Sequence, residues 1–337
     1  MTPARPNARL VGFVAVTLAA ATVATGYTVR AAQDDRADTA AALAVRSEMP
    51  TGPRIVFIDA SFTPAAGRVA VVPLDDPQGP RALTDLRCDR IDVSRRVGVC
   101  LSTRRGLPMS NRTVVLDSRL RAGRAYAGTG RPSRTRLSRD DRYVATTTFS
   151  TGHSYGDTNY STLTAIRDLR SGRSTGSLED FSMYRDGQRL RAQDLNVWGV
   201  TFTADPRVFF ASAASGGRVD LVRGDITRRE LRTVRRDVEC PSLSPDGRRL
   251  VYKVQVDESE APIWRLQVLD LTTGRERFLG ERRNIDDQVQ WLDDQHVLYE
   301  VPQDGVLTGD SDVWVAPVDG GRPKLIVPLA KSPAVVR

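Results

Sequence analysis

The feature that most restricts the fold is a turn that comes back along the chain. In Cys240-Pro-Ser-Leu-Ser-Pro-Asp-Gly-Arg-Arg-Leu-Val-Tyr-Lys253, Pro241 to Leu243 reads as a short strand and Leu250-Val251-Tyr252 as a second, rich in β-forming residues. Between them Ser244-Pro245-Asp246-Gly247 reads as a tight turn. Pro245 presets φ, Asp246 accepts from the backbone ahead of it, and Gly247 supplies a positive φ. Related turns stand at 93–96, 137–141, 202–206 and 291–294. The strands that follow begin at Val97, Tyr143, Val208, Leu250 and Val297, and a sixth begins at Ile55, at spacings of 42, 46, 65, 42 and 47 residues.

After each of these strands comes a second hairpin with its own turn residues. The clearest are Val268-Leu-Asp-Leu-Thr-Thr-Gly-Arg-Glu-Arg-Phe-Leu279, 166–176 with Asp168 and Gly172, and 315–326 with Asp319 and Gly320. Four strands in each 42–47-residue unit, with turn chemistry at set places, is the pattern of a β-propeller blade, and six units predict six blades. The first unit lacks the strand that would precede Ile55, and the chain overruns the sixth. Ala334 to Arg337 are therefore expected to supply that strand and close the ring, which removes an open sheet edge. After residue 50 no ten-residue apolar stretch has helical period, so the fold class is all-β.

The segment Ser244-Pro245-Asp246-Gly247-Arg248-Arg249-Leu250-Val251-Tyr252 resembles the Ser-Pro-Asp-Gly-(Lys/Arg) signature of TolB-type propeller repeats, relatives of the WD repeats. Ser138 to Ala145 is a partial match without the Pro and Gly, and the other blades match by spacing and turn position. The resemblance implies the propeller fold and carries almost nothing about function. TolB has an α/β domain before its propeller, for which the residues before 50 offer no counterpart.

The address is written at the start of the chain. Leu10 to Val29 is an uncharged run of twenty residues preceded by Arg5 and Arg9, spanning about 30 Å as a helix, the thickness of a bilayer core. It reads as a single-pass membrane anchor after a cytoplasmic 1–9 region. The alternative is a signal peptide cleaved near Ala24-Thr25-Gly26, giving a secreted protein. Under either reading the positive flank stays inside and the rest lies outside the cytoplasm, with 30–52 as a linker and 53–337 as the propeller. The net charge of +8 is carried by arginines spread along the chain, with Lys253, Lys324 and Lys331 the only lysines. Such scatter argues against a nucleic-acid footprint, which concentrates charge on one element. Three cysteines suit an exported protein with one disulfide: Cys88 and Cys100 flank a hairpin, closing a loop worth about 3 kcal/mol, and Cys240 is left as a buried thiol.

Function is expected on the loops that join the second and third strands of the blades, at 103–111, 150–161, 255–262 and 302–312. The blade 3 loop holds His153, Tyr155, Asp157, Asn159 and Tyr160, a mixture of aromatic and hydrogen-bonding groups suited to a peptide or glycan. Trp264 lies close to the blade 5 loop. Acids at Asp257, Glu258, Glu260, Asp304, Asp310 and Asp312 are of a kind that binds Ca²⁺, at spacings that match no EF-hand. The segment Glu179 to Asn196 is expected to cap the same face, with Phe181, Met183 and Tyr184 packing. The Ser-Pro-Asp-Gly turn is not a Gly-x-Ser-x-Gly elbow, and neither the cysteine spacing nor the two histidines match a metal-ligand pattern, so no catalytic residue, cofactor or metal is assigned. The expectation is a non-catalytic scaffold for a protein or cell-envelope polymer. The alternative is a metal-dependent hydrolase or lyase, with an ion in the central channel held by acids and His153 or His296.

Overall fold

Residues 44–104, 106, 110–150, 161–257, 262–303 and 311–337 are described by the computed structural model. They form six sheets, each built on four antiparallel strands and beginning from an inner strand: Ala330–Val336, Arg90–Val93, Arg131–Leu137, Asn196–Phe202, Glu239–Leu243 and Gln290–Trp291, in blades 1 to 6. The second strands start at Arg54, Val97, Tyr143, Val208, Arg249 and His296, each within a residue of the start expected from the turn pattern. The fold is thus an all-β six-bladed propeller, as the repeat predicts. Among the described residues the one helical element is a 3₁₀ turn, Leu178–Asp180.

The ring closes between the ends of the chain. Ala330–Val336 pairs antiparallel with Arg54–Asp59, from Arg54 opposite Val336 to Asp59 opposite Ala330, with a one-residue register shift between Val56 and Ile58. The closing strand is longer than the expected Ala334 to Arg337. Within the stretch expected as linker, Val45–Arg46 lies parallel to Arg81–Arg87 and adds an outermost strand to blade 1.

The 65-residue interval has its explanation in blade 4, and it corrects one expectation. The segment Glu179 to Asn196 does not cap the loop face. Ser182–Arg185 runs parallel to the outer strand Glu230–Arg236, and Gln188–Leu190 pairs outside it, so blade 4 becomes six-stranded. Phe181 and Met183 are buried against that sheet, which supplies the apolar area that holds the insertion to the edge.

Turn chemistry explains why the hairpins form where they do. In blade 5 the Ser244 hydroxyl accepts from Arg249 N–H and donates to Asp246, whose carboxylate accepts from Arg248 N–H, while Gly247 N–H closes the turn on Ser244 O. Blade 3 repeats the arrangement with Ser138, Asp140 and Tyr143 N–H. Asp141 holds the position of Gly247, at φ 61° against 73°. Buried apolar clusters then join neighbouring blades: Val56, Val71, Ile91 and Leu116 between blades 1 and 2, and Val251, Leu266, Val297 and Tyr299 between blades 5 and 6. Cys88 and Cys100 form a disulfide between the start of blade 2 and its second strand, with Cα atoms 5.5 Å apart. Cys240 is free and buried, and burial pushes its thiol pKa up.

The topology gives the disc two unlike faces. The turns from first to second and from third to fourth strands lie on one, called lower. The loops from second to third strands and the connections between blades lie on the other, called upper.

Candidate functional site

The six inner strands surround an axis that side chains close at mid-depth. Arg136 of blade 3 reaches across to donate to Val289 O of blade 6 at 3.0 Å, and Arg134 donates to Asp286 O at 3.4 Å with Asp287 at 3.9 Å. From the other side, Gln288 donates to Val200 O and Pro241 O. Asp92 is buried beside these arginines and accepts from Leu137 N–H of the neighbouring blade at 2.7 Å. Burial raises the Asp92 pKa and lowers that of Arg136, because each charged form loses water. Only about 30 Å³ of space remains at this level. The channel is therefore two basins separated by a polar plug.

The upper basin, of about 570 Å³, opens on the face where the long loops emerge. At its wall stands Lys253, near the end of the second strand of blade 5. Its ammonium is ion-paired with Asp286, lies 3.5 Å from Glu239, and sits 4.0 Å above the ring of Trp264. The Lys253 side chain is only 7% exposed. Burial alone would lower its pKa, but the surrounding anions outweigh that and raise it. The same pairing holds the Asp286 pKa down against burial, while burial dominates at Glu239 and raises it. The amine stays protonated, which suits a fixed positive charge and does not suit a nucleophile. Arg131, Phe149, Asn196 and Trp198 complete the lining, with Arg90 paired to Glu300 at 3.3 Å. Phe149 is 40% exposed and Arg131 is exposed, so an aromatic face and a guanidinium meet solvent at the rim.

The lower basin, of about 540 Å³, is ringed by the ends of the inner strands and by turn residues such as Ser94, Pro245 and Asp294. Trp291 donates to Ser242 O there, and Arg337 lies 3.5 Å from Asp293. A further hollow of about 400 Å³ lies at the added edge of blade 4 and is lined by residues including Tyr184, Arg218 and Arg232.

Of the residues singled out in the sequence, His153, Tyr155, Asp157, Asn159 and Tyr160 lie outside the described residues, as do Glu258, Glu260, Asp304 and Asp310. Trp264 starts the third strand of blade 5, half-buried, with its backbone N–H donating to Asn284 and its ring under Lys253. Asp312 accepts from Leu329 N–H and from Gln303, which ties the third strand of blade 6 to the closing segment. His296 is on the lower face, 2.9 Å from Asp293, away from the upper basin. Among the described residues no group of three or more His, Cys, Asp or Glu is placed to hold a metal ion. Sequence reasoning missed Lys253, Glu239, Asp286, Arg131, Phe149 and Trp198. One signal was readable: Lys253 is one of three lysines in an arginine-rich chain, on a strand position between apolar neighbours.

No family model matches this chain, and no curated protein matches it. Solved structures do. TolB from Acinetobacter baumannii is similar over 85% of this chain and 67% of that one, at 14% identity and a TM-score of 0.61. The chain folds as a TolB-like six-bladed propeller. A chain of the nidogen/laminin complex is similar over 84% of this chain and 98% of its own, at 10% identity and a TM-score of 0.52. At such identities the likeness establishes the fold and leaves the chemistry to the site itself.

Proposed function

We propose that this protein is a membrane-tethered, extracytoplasmic binding scaffold that captures a protein or cell-envelope polymer at the upper basin and the loops around it. The observation that carries this reading is the coincidence of the basin with the elaborated face. A hollow of about 570 Å³ with exposed Phe149 and Arg131 opens on the face where the second-to-third-strand loops emerge. An aromatic surface beside fixed charges is the composition of a recognition site. The protonated Lys253, enclosed by two carboxylates and Trp264, supports a binding role over a catalytic one. The nidogen/laminin structure, itself a protein–protein complex, has a chain of similar fold.

Tethering rests on the uncharged run Leu10 to Val29, which lies outside the described residues; among those described, no helix is long and apolar enough to cross a membrane. The test is crosslinking of tagged full-length protein in its native membrane, followed by mass spectrometry. One reproducible envelope partner is expected, with recovery reduced about tenfold or more by Arg131→Ala with Phe149→Ala or by Tyr155→Ala with Tyr160→Ala. Unchanged recovery in both pairs at an unaltered melting temperature would overturn the assignment of the upper face.

A further inference from the structure

We infer that the lower face of the propeller is a docking surface for an anionic lipid bilayer, so that the disc lies on the membrane with its upper basin pointing away. The inference rests on the tethered reading above and adds an orientation and a ligand chemistry.

The first observation is where the chain joins the ring. Ala44 O accepts from Arg81 N–H at 3.0 Å, and Val45–Arg46 then runs parallel to Arg81–Arg87. Arg81 is the first residue of the outer strand of blade 1, immediately above its lower turn, so Ala44, the first described residue, stands at the lower rim. Residues 47–53 continue along the same rim to Arg54, opposite the lower-end residues Pro73 and Val336. Exposed apolar side chains, Val45 and Met49, stand at this junction. Between the uncharged run and residue 44 lie residues 30–43, about 50 Å at full extension. Turning the upper face to the bilayer would take the tether past the whole depth of a blade, about 25 Å for strands of this length.

The second observation is charge. The lower turns present Arg95, Arg119, Arg170, Arg173, Arg248 and Arg275, all exposed and none within salt-bridge distance of an acid among the described residues. The aspartates of the same turns are folded back on their own backbone. Asp168 accepts from Arg170 and Ser171 N–H, Asp246 from Arg248 N–H, and Asp270 from Thr272 and Thr273 N–H. In these turns local hydrogen bonding draws the carboxylates inward and leaves guanidinium groups outermost, whereas Asp75 and Asp76 in the lower turn of blade 1 and Asp319 in that of blade 6 are exposed. The upper loops carry the opposite bias in sequence, with Asp257, Glu258, Glu260, Asp304 and Asp310. A face with outward arginines, joined to the tether at its own rim, is attracted to anionic headgroups when it comes within about a Debye length of them and gains orientation from the acidic face opposite.

The test uses full-length protein in vesicles containing about one third phosphatidylglycerol, and in phosphatidylcholine vesicles alone. A fluorophore is placed by Ser171→Cys on the lower face or Thr129→Cys on the upper end of blade 2, with a quencher on the lipid headgroups. Ser171→Cys is expected to be quenched in the anionic vesicles, and Thr129→Cys is not. The lower-face quenching should fall by about half or more in high salt, or when Arg170, Arg173, Arg248 and Arg275 are all changed to Gln. Equal quenching at both sites, or quenching indifferent to lipid charge and to the arginine changes, would overturn the inference. Flotation with vesicles in high salt reports the tether separately: protein left at the bottom of the gradient would refute anchoring, whereas protein that floats with no facial preference would refute only the docking surface.

Discussion

At the scale of single residues, one buried carboxylate in this ring is held by a dense hydrogen-bond set. Glu281, in the connection between blades 5 and 6, accepts from the N–H groups of Arg282 and Arg283, from the Arg283 guanidinium and from the Tyr299 hydroxyl. Arg283 in turn covers the ring of Trp314 at 3.7 Å. Burial alone would raise the Glu281 pKa, but the bonds from Arg283 and Tyr299 outweigh it and bring the value to about 2. A folded-state pKa below the ordinary 4.5 means that this carboxylate stabilises the fold above about pH 4.5 and loses that contribution as pH falls toward 2. Glu281→Gln should therefore lower the melting temperature at pH 7 and flatten its dependence between pH 5 and about pH 2.5, by thermal denaturation followed by circular dichroism. A variant that keeps the full acid dependence would show that other carboxylates control it. None of this was legible in the sequence, because Glu281 is separated by eighteen residues from the Tyr299 that completes its shell.

At the scale of elements, the turns carry the information. In the lower turns the same position repeatedly needs a positive φ: Gly172, Gly274 and Arg229 hold it after Asp168, Asp270 and Asp225, at 76°, 70° and 54°. Glycine meets that need without strain, while Arg229 tolerates it beneath the ring of Phe181, 4.5 Å away. Gly247 has no atom within 4 Å of the place a Cβ would take, so Gly247→Ala isolates the backbone term. The expected loss is about 1–2 kcal/mol by urea denaturation, with an unchanged m-value. A neutral result would mean that the turn relaxes to another type. Strand starts were legible to within a residue because these local bonds need no partner from elsewhere. The insertion at 179–196 was misread for the opposite reason: its strands exist only by pairing with Glu230–Arg236.

At the scale of the whole molecule, ring closure joins residues far apart in sequence, and one buried ion pair clasps the joint. Arg81 and Asp59 are each 2% exposed and 2.7 Å apart, and Arg81 also donates to Leu329 O and Pro328 O just before the closing strand. Asp59 is braced by Ser61 N–H. Arg81→Met leaves a buried carboxylate without its counter-ion and removes the Arg81 bond to Pro328 O, while Leu329 O keeps the Ala60 N–H; it should cost about 3–5 kcal/mol in denaturant unfolding, part of it recovered by adding Asp59→Asn. A loss below about 1 kcal/mol would show that the strand ladder alone closes the ring.

From the sequence came the number of blades, the placement of each hairpin and the closure of the ring by the C-terminal residues, because turn chemistry and strand period are written in neighbouring residues. Tertiary structure decided what the ring encloses. The plug of Arg134, Arg136 and Gln288 and the setting of Lys253 among Asp286, Glu239 and Trp264 join side chains from different blades. Which inward residues meet across an axis depends on the curvature and stagger of six sheets, and no local pattern in the chain encodes it.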